Sequence, residues 1–403
     1  MRAVRSPLFA CLLAFQAAGL TGLCAAPPAH AAAFTPTDDA QVLERVPARA
    51  SDPAARELQA LRQAWRAQPR DLPTALRLAE RCFDEVGATG DPRHIGCTQA
   101  ALQPWWALPD PPVAVRVLRA QVLQFDHQFD PALADLAAVL ALEPQHTRAW
   151  SWQLAIQMVR GDYRAARISC EALAALAPPL IGAACRAQLD ATTGRAATAA
   201  ATLRQALATP AATADPAQRL WSLTRLAETE ERRGAWAAAE AAFREAQALG
   251  RPDVYLLAAH ADFLLDRGRA AEVLALLKDR GRADVLLLRL ALAAKGVGDP
   301  SAAGHAAELG ARFDAARQRG DNSHRKEESR YRLALLADTA TALKLAQENW
   351  AEQREPADAR TLLEAALAAR NTAAAQPGLQ WMAESGIESV ALHDLATRLK
   401  ALQ

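Results

Sequence analysis

VAVRVLRAQVLQFDHQFDPALADLAAVLALEPQH, residues 113–146, is followed without a gap by TRAWSWQLAIQMVRGDYRAARISCEALAALAPPL, residues 147–180. Each block is 34 residues long. In the first, Ala120, Phe129, Ala132 and Pro144 hold block positions 8, 17, 20 and 32; in the second, Trp150, Gly161, Tyr163, Ala166 and Pro178 hold 4, 15, 17, 20 and 32. A period of this length describes a helical hairpin that cannot bury its apolar face alone. Stacked copies bury it between them and build a quasi-one-dimensional array.

The register returns in 220–253, where Leu226, Ala227, Gly234, Trp236, Ala239, Phe243 and Ala246 hold positions 7, 8, 15, 17, 20, 24 and 27. Ala227 and Ala239 are small where two helices must cross, and Leu226 and Phe243 fill the space beside them. Weaker hairpins are expected on either side. These are 72–109 with a wide turn at 87–91, 181–208 turning at Gly194, 254–277 at Gly268, 284–313 near Gly298, 327–356 and 359–386. Residues 52–68 and 390–402 suit capping helices, giving about nine pairs within a solenoid over 52–403. Five Asp-Pro steps (Asp52-Pro53, Asp91-Pro92, Asp130-Pro131, Asp215-Pro216 and Asp299-Pro300) are read as helix starts. Asp accepts from the free N–H groups of a first turn, and Pro has no N–H to leave unpaired there.

Composition agrees with an all-α chain. Apolar residues make up 51% but aromatics only 5%, so the apolar mass is mostly alanine and leucine, both strong helix formers. Lys+Arg is 46 against 45 Asp+Glu, and no basic cluster stands out, which argues against nucleic acid as a partner.

These blocks resemble tetratricopeptide (TPR) repeats, most specifically over 113–178 and 220–252 and more loosely over about 72–385. The resemblance implies a right-handed α-solenoid whose concave groove is lined by the first helix of each pair and binds proteins or peptides. It also implies that positions 2, 5, 9, 12 and 13 face that groove. They hold Arg148, Trp221, Glu228, Glu231, Tyr255, Asp262, Asp266 and Tyr331, with Arg360 in the last hairpin. Asp262 and Asp266 share one helix face. An acidic lining of this kind suits a basic or amphipathic ligand. Changing both aspartates to Asn is then expected to weaken binding and leave the fold intact.

Residues 1–31 have the parts of a secretory signal peptide: Arg2 and Arg5, an apolar stretch from Leu8 to Ala26, and Ala29-His30-Ala31 as a cleavage site. The apolar stretch is long for a signal, so an uncleaved membrane anchor is the alternative. Residues 32–51 read as a leader segment. The address is exported, and the Ala/Arg-rich style points to the periplasm of a Gram-negative bacterium.

No catalytic constellation emerges. His94, His127, His146, His260, His305, His324 and His393 lack metal-ligand spacing. Lys295-Gly296-Val297-Gly298 reads as a turn and not as a phosphate loop, no Gly-x-Ser-x-Gly is present, and no carboxylate pair is isolated for acid–base work. The expectation is no enzyme, no metal and no cofactor.

Four cysteines follow the leader. Cys82 lies five residues before Gly87 and Cys97 five after Pro92, so an antiparallel hairpin sets them level. Cys170 and Cys185 straddle Pro178-Pro179 at eight and six residues. That offset is only ~3 Å along the helices. Two disulfides suit an exported chain, and four small buried thiols are the alternative. Two functional readings remain: a cell-envelope scaffold holding a protein or peptide in its groove, or a structural subunit of a secretion, polysaccharide or cell-wall machine that self-associates.

Overall fold

The computed structural model describes Asp38, Ala40 and residues 53–209, 215–321 and 323–402. The chain divides into 1–52 and 53–403, and every helix below belongs to the second unit. The signal and leader expectations at 1–31 and 32–51 therefore fall outside the described residues, apart from Asp38 and Ala40.

A single helix, α1 (Pro53–Ala67), opens the array. Hairpins follow as α2 (Leu72–Thr89) with α3 (Arg93–Trp106), α4 (Val113–Phe125) with α5 (Phe129–Leu142), and α6 (Thr147–Val159) with α7 (Tyr163–Leu176). The middle pairs are α8 (Pro179–Thr192) with α9 (Ala196–Leu207), α10 (Pro216–Arg232) with α11 (Trp236–Ala248), and α12 (Val254–Asp266) with α13 (Ala270–Leu276). Next come α14 (Asp284–Val297) with α15 (Ala302–Gln318), α16 (Arg325–Ala334) with α17 (Thr339–Glu352), and α18 (Pro356–Ala368) with α19 (Thr372–Ser385). The last helix is α20 (Val390–Lys400). Every element among the described residues is helical, and most helices pack first on a chain neighbour, while α20 lies chiefly on α18.

The small residues of the repeat sit at the crossings. Ala120, Ala132, Ala166, Ala227 and Ala239 are fully buried, and Phe243 fills the space beside the last two. Only one of the Asp-Pro steps among the described residues caps a helix: Asp215 accepts from the amides of Ala217 and Gln218. Asp130 falls inside the first turn of α5, while Asp91 and Asp299 form tight turns ahead of α3 and α15. A proline two residues into a turn satisfies the same local geometry as one at a helix start, which is why the signal misplaces these three. Asp162, Asp253, Asp338, Asn371 and Ser389 cap their helices without a following proline, and Asp71 does so with Pro73 one residue further on.

The array meets itself through its turns. The left-handed turn residues of the first five pairs are Gly90, His127, Gly161, Gly194 and Gly234. Gly90 packs beside Val254 and Ala283, which brings α2 against α12. His127 Nδ1 lies 3.3 Å from Gln353 Nε2. Gly161 touches Arg354 and Trp381, Gly194 abuts the backbone of Gly386, and Gly234 meets Val390. The C-terminal segment thus runs along successive turns in chain order. Its polar ties include Arg354 N–H donating to Val159 O at 2.7 Å and Ala196 N–H donating to the Glu388 carboxylate at 3.1 Å.

Candidate binding cavity

The first helices face inward together. Residues of α2, α4, α6, α8, α10, α12, α14, α16 and α18, joined by α20, line one cavity of about 820 Å³. The closed seam is what makes this space a cavity. The inner curvature is tight enough for side chains two repeats apart to touch, as Arg148 does with Glu80 at 2.7 Å and Arg330 with Asp262 at 2.8 Å.

The acidic stripe on α10 and α12 is largely matched from within the chain. Asp262 is paired with Arg289 at 2.5 Å and with Arg330 at 2.8 Å. Burial opposes its ionisation, but the two guanidinium groups outweigh burial and hold the carboxyl well below its ordinary range. Asp266 takes a two-pronged contact from Arg360, one arm of it 2.7 Å long, and Arg360 also reaches Glu364 at 2.7 Å. Glu228 accepts from Tyr255 Oη at 2.5 Å and from Arg225 at 3.0 Å, and Arg225 lies over the Tyr255 ring at 4.5 Å. Burial, helped by the Glu228 and Glu355 carboxylates and opposed by the Arg225 cation, raises the Tyr255 hydroxyl.

Glu231 differs from these. Burial first, and then Asp266, Glu228 and Asp262, push its carboxyl up to about 8, so it carries a proton at neutral pH. Arg232, the last residue of α10, has no hydrogen-bond or ion-pair partner among the described residues, and its Nε is closed off from solvent. Below this region Lys326 meets Asp358 at 3.3 Å, and Asp358 accepts from Asn349 at 3.0 Å.

Six of the nine residues read as groove-facing line the cavity: Glu228, Glu231, Tyr255, Asp262, Asp266 and Arg360. Three do not. Tyr331 is buried against Phe313 between α15 and α16, because α16 starts at Arg325 and turns Arg330, not Tyr331, inward. Trp221 packs on the core between helices, and Arg148 is spent on Glu80 and Gln121 outside the cavity. The sequence reading missed Arg225, Arg232, Arg289, Lys326 and Arg330. One signal could have found part of this set: polar partners recur 27 residues apart, as Gln121 with Arg148, Glu228 with Tyr255 and Asp262 with Arg289. That spacing joins position 9 of one first helix to position 2 of the next.

The cysteines pair as two bridges, Cys82 with Cys97 and Cys170 with Cys185, their Cα atoms 6.0 and 5.7 Å apart. Each ties the two helices on either side of a turn. Among the described residues no group of His, Cys, Asp and Glu is arranged to hold a metal, and no helix is long and apolar enough to cross a membrane.

No protein-family model matches the sequence, and no curated protein is similar to it. Among solved structures, the chain is similar to a human IFIT1 dimer with m7Gppp-AAAA, at 11% identity over 87% of this chain and 86% of that one, TM-score 0.45. It is also similar to the P58(IPK) TPR domain, at 13% identity over 80% of this chain and 95% of that one, TM-score 0.22. The described residues form nine successive helical hairpins, stacked near a 34-residue period with their first helices inward; the fold is a TPR-like α-solenoid.

Proposed function

We propose that this chain is a non-enzymatic binding scaffold that works outside the reducing cytosol and holds a segment of another protein in its central cavity. The observation that carries the reading is the convergence of ten helices on one space of about 820 Å³. The apolar cores run between the stacked helices, within pairs and across them, so this cavity, lined by charged side chains and apolar surface together, is additional to what the fold needs for burial. Its size suits a short extended segment. Export rests on residues 1–31 and is supported by the two bridges, since disulfides persist in oxidising compartments.

The test is affinity capture from envelope extract, with nuclease-treated and untreated arms, comparing the natural chain with Tyr255→Ala. Tyr255 lines the cavity and is 51% exposed, so its loss is expected to cost a captured protein and spare the fold. Equal capture by both chains, or retention that disappears with nuclease, overturns the reading. N-terminal sequencing checks the address: a start near Ala32 in soluble periplasmic material is expected, and an intact Met1 on membranes means an anchor.

A second reading, assembly through the outer face, is favoured by Leu142 and Ile168. They stand 65% and 61% exposed on the second helices α5 and α7. A mature chain that sediments as a monomer at all concentrations argues against it.

A further inference from the structure

The acids of the α10–α12 stripe are matched or neutral, and beside them stands a cation without a partner among the described residues. Arg289 and Arg330 serve Asp262, Arg360 serves Asp266 and Glu364, Lys326 serves Asp358, and Arg225 serves Glu228. Among the described residues Arg232 has no such partner. Its Coulombic neighbours are Glu228, already held by Arg225 and Tyr255, then Arg225 itself, and Glu231. The Nε of Arg232, closed off from solvent and unpaired, gains nothing in exchange for its lost hydration until an acceptor reaches the group. Other side chains that line the same cavity add shape. Trp236 opens α11 two residues past the turn, and the Arg267 guanidinium lies 4.5 Å over its ring, so a second cation stands beside a flat apolar wall. Val390, 50% exposed, borders the same space from α20.

Resting on the cavity as binding site, the geometry points to an oxyanion ligand that carries a flat apolar group: Arg232 takes the anion, Arg267 assists, and Trp236 takes the apolar body. The guanidinium presents a planar fork of donors that fits carboxylate, phosphate or sulfonate oxygens in pairs. This reverses the sign expected from the sequence. The ligand's recognised group is acidic, because the protein's own arginines occupy the acidic stripe.

Two fluorescent probes of nearly the same shape separate the possibilities: anilinonaphthalene sulfonate, an anion, and N-phenyl-1-naphthylamine, its neutral counterpart. The natural chain is expected to bind the sulfonate at one site and at least tenfold tighter than the neutral probe. Arg232→Gln should abolish that preference and leave neutral-probe binding unchanged. Arg232→Lys should retain part of it. Among the described residues Arg232 makes no hydrogen bond or ion pair, so the Gln variant is expected to melt no lower than the natural chain. Displacement by phenyl phosphate against phenylacetate then tells a phosphate from a carboxylate ligand. Equal affinity for both probes, or a sulfonate site indifferent to Arg232→Gln in a folded variant, overturns the oxyanion inference and leaves the cavity reading standing. Binding of neither probe also overturns the oxyanion inference, and the capture experiment with Tyr255→Ala then decides the cavity reading by itself.

Discussion

Trp381 donates its indole N–H to the hydroxyl of Tyr163 at 3.0 Å, fastening α19 to the start of α7. Burial raises the Tyr163 hydroxyl to about 12, so it stays protonated at any pH the protein meets. A stacked array needs contacts only between neighbours; this bond joins the third pair to the ninth. Tyr163→Phe leaves the indole N–H without its partner and should cost about 1–3 kcal/mol. Trp381→Phe should cost more, since it also removes buried area against Trp350. The double variant is expected to show coupling of about 1 kcal/mol in chemical denaturation. Strict additivity would mean that the two helices do not meet in solution.

Gly194 tests the same seam from its backbone. It sits at φ 77°, and a Cβ there would stand 2.9 Å from the carbonyl oxygen of Gly386. Gly250 also has a positive φ, 66°, with open space around it. Alanine at Gly250 pays only for the left-handed backbone, roughly 1 kcal/mol. Alanine at Gly194 pays that and must also push the C-terminal segment away. The prediction is a clearly larger loss of stability at 194 than at 250. Equal losses would place the C-terminal segment elsewhere.

The hairpins were readable because each depends on residues within one period: Ala227, Ala239 and Phe243 define a crossing wherever they occur at that spacing. The inward face was readable where the register was strong, as at Glu228 and Asp262. It slipped by one residue at Tyr331, because the hairpin was begun at 327, whereas the register of Asp262 and Arg289 carried on by 34 residues puts Arg330 at position 9. The closure was not readable at all. It depends on Gly194 meeting Gly386 and on Gly161 meeting Trp381, contacts set by curvature summed over many repeats. Once the array closes, residues two and more repeats apart face one another, and the charge of the groove becomes the sum of both walls.

Glu231 should leave a mark on the pH dependence of stability. Its carboxyl is raised to about 8 from an ordinary 4.5, so between those values the folded chain holds a proton that the unfolded chain has released. Stability therefore falls as pH rises through that window. His260, lowered to about 4 by burial, acts in the opposite sense, but only below 6.5, its ordinary value. Between pH 6.5 and 8 the Glu231 contribution stands clear of it. Glu231→Gln should flatten the stability profile there, recovering on the order of 1 kcal/mol at pH 8. A profile with unchanged slope would mean that Glu231 is hydrated and ionised.

Asp262 and Asp266, equivalent in the sequence, are expected to behave differently. The Asp262 carboxylate neutralises two arginines, Arg289 from the next pair and Arg330 from the one after, and the three side chains are 25%, 7% and 21% exposed. Asp262→Asn keeps the shape but leaves two guanidinium groups facing each other in a closed space. Breaking a buried pair from one side costs about 3–5 kcal/mol, and partial exposure places this site toward the lower figure. Asp266 and Arg360 are both 32% exposed, and Arg360 keeps Glu364 when Asp266 is neutralised. Asp266→Asn should cost no more than about 1 kcal/mol. Replacing Asp262 while removing Arg330 as well, in Asp262→Asn with Arg330→Gln, should restore part of the loss. Separate denaturation curves for the two single variants and the pair decide the matter. Equal, small effects at both positions would mean that the carboxylates face solvent in an open groove, as the repeat pattern alone suggests.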